Sequence, residues 1–288
     1  MPVAIVTGAS RGIGAGIARR LVAEGCDVAC VARTLAEGDS HLDGSLQRTV
    51  DRLTEAGGRA HAVVADLSAP DFDAHGLVCE VEIVLGPVDY LVNNAAAAFY
   101  PSYLETPRKR MEVSFRVNVV APWLLAQAVL PGMIERGTGS VLNLTSQTAI
   151  MPPGPPFKVA PQIGGATSYG GSKAWLERAT VGAAAELYGT GVSLNCLSPD
   201  TSVITEGSDA LVDLSAYPNE PVDTMAEAAW ALLTGDPEEF TGRVEYALSL
   251  LHRLQRPVMR LDGSGLLEGW QPHEFDTAYL IAPGGDRP

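Results

Sequence analysis

Cysteine, histidine and basic side chains are all scarce in this 288-residue chain. Its four cysteines, Cys26, Cys30, Cys79 and Cys196, are scattered, and none forms a CxxC or other metal-ligand spacing. Such a set suits buried free thiols in a reducing compartment rather than a disulfide framework. The five histidines are as dispersed, with no HxxxH or HExxH, so neither a structural nor a catalytic metal is supported. Lys+Arg number 20 against 34 Asp+Glu, giving a net charge of −14. A surface that acidic repels phosphate backbones and anionic lipid, which argues against nucleic acid or a membrane as partner. No basic n-region or cleavage site follows Met1-Pro2. The long, strongly apolar uncharged stretch from Val117 to Ile134 carries Asn118, Pro122, Gln127, Pro131 and Gly132, too much polar and helix-breaking content for a membrane span. It is predicted as a buried helix, and the expected setting is cytoplasmic.

What is abundant is apolar sequence, 46% of residues, arranged as short β-rich runs alternating with longer helical ones. Strands are predicted at Val3–Thr7, Val28–Val31, Ala60–Ala65, Val88–Val92, Ser140–Leu144 and Val192–Cys196. Helices are predicted between them, among others at 12–24, 72–85, 108–135 and 168–188. Continuous rather than alternating hydrophobicity marks strands covered on both faces. The series therefore implies an α/β fold, a Rossmann-type doubly wound parallel sheet of three layers in a single domain over 1–288. Two inserts are expected: a Pro-rich loop at about 150–165 and a helix at about 239–255, before a last strand at Arg256–Leu261.

Directly after the first strand comes Thr7-Gly8-Ala-Ser10-Arg11-Gly12-Ile13-Gly14. A glycine-rich turn between strand and helix lets the backbone approach a pyrophosphate, and the helix N-terminus aims N–H groups at the anion. The spacing is GxxxGxG, weak alone and stronger in this position. An NAD site would place a carboxylate about 20 residues on, at the end of the second strand. That strand instead ends Val31-Ala32-Arg33-Thr34. A guanidinium there suits a 2′-phosphate, and Arg11 could reach the same group, so NADP is expected over NAD. The alternative is two solvated surface arginines.

Tyr169-Gly-Gly-Ser-Lys173 opens a predicted helix, placing phenol and ammonium on one face. An ammonium beside a phenol favours the phenolate and lowers a tyrosine pKa from about 10. Such a tyrosine can donate a proton to a carbonyl oxygen or take one from a hydroxyl. With the glycine turn, with Asp66 after the third strand, Asn93-Asn94-Ala95 after the fourth, Asn118 and Ser146, the chain resembles the classical short-chain dehydrogenase/reductase family over about residues 1–205. The resemblance implies reversible hydride transfer between NAD(P) and a carbonyl or alcohol. By it, Tyr169 is the acid/base, Ser146 steadies the carbonyl oxygen, Lys173 binds the nicotinamide ribose and Asn118 holds a relay water. It further assigns cofactor contacts to Thr7, Gly8, Ser10, Arg11, Gly12, Ile13 and Gly14 in the turn. Arg33, Thr34, Asp66, Leu67, Asn93, Ala95, Pro199 and Val203 complete the cofactor set with Tyr169 and Lys173.

Departures from the pattern accompany it. The gap from Ser146 to Tyr169 is longer than usual and coincides with the Pro-rich loop; Thr145 and Thr148 are rival hydroxyls. Pro199-Asp200 stands where Pro-Gly is usual, and the expectation is an Asp200 carboxylate near the nicotinamide, favouring the oxidised cofactor. Phe99, Tyr100, Tyr103, Met151, Phe157 and Tyr217 give the pocket loops an apolar and aromatic character, so a moderately apolar ketone or secondary alcohol is the expected substrate. A homodimer or homotetramer is expected, since the family commonly pairs through its long helices and last strand. The competing reading is a non-catalytic NAD(P)-binding redox sensor or assembly protein.

Overall fold

The computed structural model describes residues 1–40, 42–152, 154–155, 157, 165–206 and 218–272. Seven parallel strands form one sheet in the order β3-β2-β1-β4-β5-β6-β7. They are β1 (Val3–Thr7), β2 (Asp27–Ala32), β3 (Ala60–Val64), β4 (Val88–Asn93), β5 (Gly139–Leu144), β6 (Val192–Ser198) and β7 (Val244–Tyr246). Strand order reverses direction between β1 and β4, which opens a crevice at the carboxyl ends of those strands.

Helices cover both faces because the central strands are apolar on both sides. Ala4 and Val6 of β1 pack into one core with Ile17 and Leu21 of α1 (Gly12–Ala23). The same core takes in Met225 and Leu232 of α7 (Val222–Leu233) and Leu250 of α8 (Ala247–Arg253). Val3 and Ile5 face the other core, with Leu77 and Val81 of α3 (Ala74–Val84) and Leu125, Val129 and Met133 of α5 (Ala121–Arg136). Each such side chain, fully buried, contributes roughly 1.5–3 kcal/mol. Among the described residues, three further α-helices are α2 (Leu46–Glu55), α4 (Arg108–Phe115) and α6 (Thr167–Glu186). Helix α1 lies so close to α7 that a Cβ at Gly16 would sit 2.2 Å from Val222.

From Arg108 to Arg136 the helix is continuous, long and apolar enough to cross a membrane by length and composition alone. Its Leu125 and Met133 are fully buried against the sheet, whereas Trp123 and Val120 face outward. One π-turn, Arg116–Val120, joins α4 to α5 and widens the helix at Asn118.

The carboxyl end differs from the expectation. The seventh strand is Val244–Tyr246, paired with Cys196–Ser198, and helix α8 follows it. Arg256–Leu261 is no strand; within it Met259 makes only an isolated antiparallel bridge to Leu266. No helix is inserted before the last strand, because the helical spacing read across 240–254 conceals a three-residue strand too short to show its own period. Much of the Pro-rich loop (153, 156 and 158–164), and Tyr217, lie outside the described residues.

Candidate active site

The glycine turn is shaped by close approach. Gly8 and Gly12 hold positive φ, 69° and 56°. A Cβ at Gly14 would lie 2.4 Å from both Asn94 Nδ2 and the Gly8 carbonyl. Thr7 Oγ1 accepts from the backbone N–H of Asn94 and Ala95, each at 3.0 Å, and Asn94 Nδ2 donates to Thr7 O at 2.8 Å. These bonds tie the β4 end to the β1 end across the crevice. Helix α1 has no side-chain cap, so its amino terminus offers N–H groups to an anion. The bare cradle and the uncapped helix fit a dinucleotide pyrophosphate.

Of the two arginines, Arg11 is already engaged within the chain. Arg11 Nε donates to Asp43 O at 2.7 Å and its Nη2 to Gly44 O at 2.8 Å and Leu42 O at 3.3 Å, so it braces the loop after β2. Backbone carbonyls of that polar loop supply acceptors at a distance in sequence that spacing does not reveal. Arg33 stays exposed beyond β2, and its charge reaches Asp66. Burial pushes the Asp66 carboxyl up, but hydrogen bonds from Ser68 N–H and Oγ, with Arg33 nearby, hold it below its ordinary value. Thr34 O accepts from Leu46 N at the start of α2. Ser10 and Leu67 are buried beside the turn and after β3, and Ile13 is half-buried in the first turn of α1. Asn93 Nδ2 donates to Asn143 Oδ1 at 2.9 Å inside the sheet. Pro199 O accepts from Ser198 Oγ, and Val203 is buried in the α1/α7 core.

At the carboxyl end of β5, the Ser146 hydroxyl neighbours the Tyr169 phenol and acts on it. The rival hydroxyls point elsewhere: Thr148 Oγ1 donates to Ser146 Oγ at 3.0 Å, and Thr145 Oγ1 donates to Glu177 Oε1 at 2.6 Å. Tyr169 is 9% exposed in the first turns of α6, with Tyr100 edge-on at 5.8 Å between ring centroids. Lys173, 1% exposed, lies 5.8 Å from the Tyr169 ring centroid and donates from Nζ to Leu144 O at 2.6 Å. Burial pushes the Tyr169 phenol well up, the neighbouring Tyr100 adds to this, and the Ser146 hydroxyl opposes it. Burial also brings Lys173 down to about 8. The expected lowering of the tyrosine by the lysine is therefore not what dominates here; desolvation is.

Asn118 is fully buried at the π-turn, and its side chain is entirely occupied. Oδ1 accepts from Ala97 N at 2.8 Å, while Nδ2 donates to Ala97 O, Ser114 Oγ and Ser172 Oγ at 3.0–3.1 Å. Ser172 Oγ in turn donates to Tyr169 O at 2.6 Å. Asn118 thus anchors the loop after β4 to the helix that carries Tyr169. Ser114 and Ser172 join the site without having been singled out in the sequence, and Tyr100, expected as a pocket aromatic, packs on Tyr169 itself. A serine next to Lys173 on a helix face that must be buried was the available signal for Ser172.

Asp200 overturns its expectation. It is wholly buried, and its carboxylate accepts from Leu248 N at 2.6 Å, from Ser249 N at 3.1 Å and from Ser249 Oγ. It caps the amino terminus of α8, a use that suits an acidic group, and leaves no surface open to a cofactor. Its own carbonyl accepts from Gln147 Nε2.

A parallel sheet with its crevice at the β1/β4 switch, a glycine turn, and a Ser–Tyr–Lys cluster at the end of β5 define a Rossmann-type dinucleotide-binding fold with an acid/base cluster at its crevice side. The family model for short chain dehydrogenase matches residues 2–212, and the chain belongs to that family. A short chain dehydrogenase of Pseudocercospora fijiensis is 36% identical over 220 residues, 75% of this chain and 65% of that one. Hydroxysteroid dehydrogenase-like protein 2 of Bos taurus is 29% identical over 239 residues, 82% of this chain and 54% of that one. The chain thus spans between half and two thirds of the length of these relatives. A crystal structure of a metagenomic short-chain oxidoreductase in complex with NADP shares 29% identity and a TM-score of 0.67, covering 84% of this chain and 95% of that one.

Proposed function

We propose that this oxidoreductase transfers hydride reversibly between NADP(H) and the carbonyl or secondary alcohol of a moderately apolar substrate. The observation that carries the reading is the Tyr169 phenol with the Ser146 hydroxyl acting on it and Lys173 beneath its ring, at the carboxyl edge of β5. Two O–H groups so placed can both reach one carbonyl oxygen. The cofactor, when bound, supplies the hydride. Ser146 Oγ–H donates to the carbonyl oxygen and holds it, and Tyr169 Oη gives its proton as negative charge develops there. A phenol held up by burial stays protonated in the resting site, as a general acid requires. The Lys173 ammonium stabilises the phenolate left behind, and Asn118 fixes the backbone around the tyrosine for a proton relay to solvent.

Arg33 supports NADP over NAD: it is an exposed guanidinium where a ribose-binding carboxylate is absent. The solved relative with bound NADP is consistent with that choice. Exposed Tyr103 and Met151, with half-buried Phe99 and Tyr100, support an apolar substrate. The outward Trp123 of α5 stacks against Trp175 of α6 at 5.8 Å, and that apolar face suits pairing in a homodimer or homotetramer. Free, buried Cys26, Cys30 and Cys196 suit the reducing cytoplasm.

Fluorescence titration with NADPH and with NADH, followed by a panel of apolar ketones, tests this. Tighter NADPH binding and ketone-dependent NADPH oxidation are expected. NADPH binding with no turnover of any ketone would favour the non-catalytic sensor.

A further inference from the structure

Glu177 takes no part in the chemistry above, yet it sits inside the site. Tyr169, Lys173 and Glu177 follow one another at four-residue steps on α6, so one helix face carries phenol, ammonium and carboxylate in a row. Across from them the end of β5 answers with three consecutive residues. Leu144 O accepts from Lys173 Nζ at 2.6 Å, Thr145 Oγ1 donates to Glu177 Oε1 at 2.6 Å, and the Ser146 hydroxyl neighbours the Tyr169 phenol. The middle bond of this ladder fixes the strand end on which the outer two depend.

We propose that Glu177 is a positioning residue, whose carboxylate keeps Lys173 an ammonium ion and, through Thr145, sets Ser146 opposite Tyr169. This rests on the carbonyl-reduction reading for its consequence, though not for its test. Lys173 is buried with a single carbonyl as hydrogen-bond partner, an environment that favours the neutral amine. The groups facing it are Tyr169 and Glu177 on α6 and Cys196 on β6. Around Glu177 lie Thr145, Lys173, Cys196 and Tyr246 of β7, the last also within the field of Asp200. Burial pushes Cys196 and Tyr246 up to about 12, so neither supplies negative charge near neutrality. Burial pushes the Glu177 carboxyl up as well, opposed by the Thr145 bond and by Lys173, and among these neighbours of Lys173 it is the one carboxyl group. Its charge opposes the desolvation that brings Lys173 down to about 8. Without it, the lysine would be neutral when the phenolate needs it.

The chain has three lysines, Lys109, Lys158 and Lys173, so ¹³Cε-lysine NMR of the whole protein yields three titrating signals, assigned with Lys109→Arg and Lys158→Arg. In Glu177→Gln, which keeps an acceptor for Thr145, the Lys173 midpoint should fall by about one pH unit or more. Thr145→Val should leave that midpoint in place and lower kcat rather than raise KM. Glu177→Met carries the same expectation as Glu177→Gln if the latter does not fold. An unmoved Lys173 midpoint in these Glu177 variants overturns the inference whether or not any ketone is reduced. A moved midpoint in a protein that turns over nothing upholds it, and only the catalytic reading then fails.

Discussion

Replacing Glu220 with glutamine should stabilise the protein at alkaline pH and leave its stability unchanged in acid. Glu220 is 3% exposed and joins the two ends of the segment that leaves β6 and enters α7. Its Oε1 accepts from Thr201 N at 3.1 Å and its Oε2 from Thr224 Oγ1 at 2.9 Å, while its N–H donates to Ser202 O. Burial, opposed by these bonds and reinforced by the nearby Asp200 carboxylate, pushes the Glu220 carboxyl up to about 7 from 4.5. Below pH 4.5 the group is protonated in both folded and unfolded chains and contributes nothing. Between 4.5 and 7 the folded state holds a proton that the unfolded state releases, so stability falls as pH rises. Above 7 the folded protein bears the full cost, at most about 3 kcal/mol for a shift of roughly 2.5 units. Glutamine can accept from Thr201 N and donate to Thr224 Oγ1, whose own proton, shared in the wild type between Glu220 Oε2 and Pro221 O, then goes to Pro221 O at 2.7 Å. Urea unfolding followed by tryptophan fluorescence between pH 5 and 9 reads the difference. A Glu220→Gln protein that is less stable throughout, or whose gain is the same at every pH, refutes the argument.

Two further outcomes follow from the same geometry. Asp200→Ala leaves two backbone N–H groups and the Ser249 hydroxyl of α8 without their acceptor, and should cost about 2–4 kcal/mol in urea unfolding. Because that carboxylate faces α8, the affinity ratio for oxidised and reduced cofactor should not change; a changed ratio would return Asp200 to the nicotinamide. Arg33→Ala should weaken NADPH by roughly 10- to 100-fold, the worth of about 1.5–3 kcal/mol in charge-assisted bonds, and spare NADH. Equal loss for both cofactors in titration would remove Arg33 from the 2′-phosphate.

How much of this was legible in the chain depends on how local the cause is. Strands β1 to β6 announce themselves because continuous apolar runs such as Val3-Ala-Ile-Val leave no solvent face. The glycine turn is legible because Gly14 answers a steric demand that no side chain can meet. Strand β7 is not, since three residues followed at once by α8 show only the helix's spacing. The same holds for long-range partners. Nothing near Arg11 in sequence foretells the carbonyls of 42–44, nothing near Asp200 foretells the α8 terminus 48 residues on, and Glu177 gains meaning only when Thr145 is seen against it. Tyr169 and Lys173 were placed together correctly, but their protonation follows burial, which spacing does not report.

The most direct test of the central claim is Tyr169→Phe, assayed for NADPH binding and for NADPH oxidation with a ketone that the wild-type protein reduces. The variant should bind NADPH as the wild type does and lose about 10²–10⁴-fold in kcat, the worth of a positioned general acid. Ketone reduction at the wild-type rate would contradict the account at its centre.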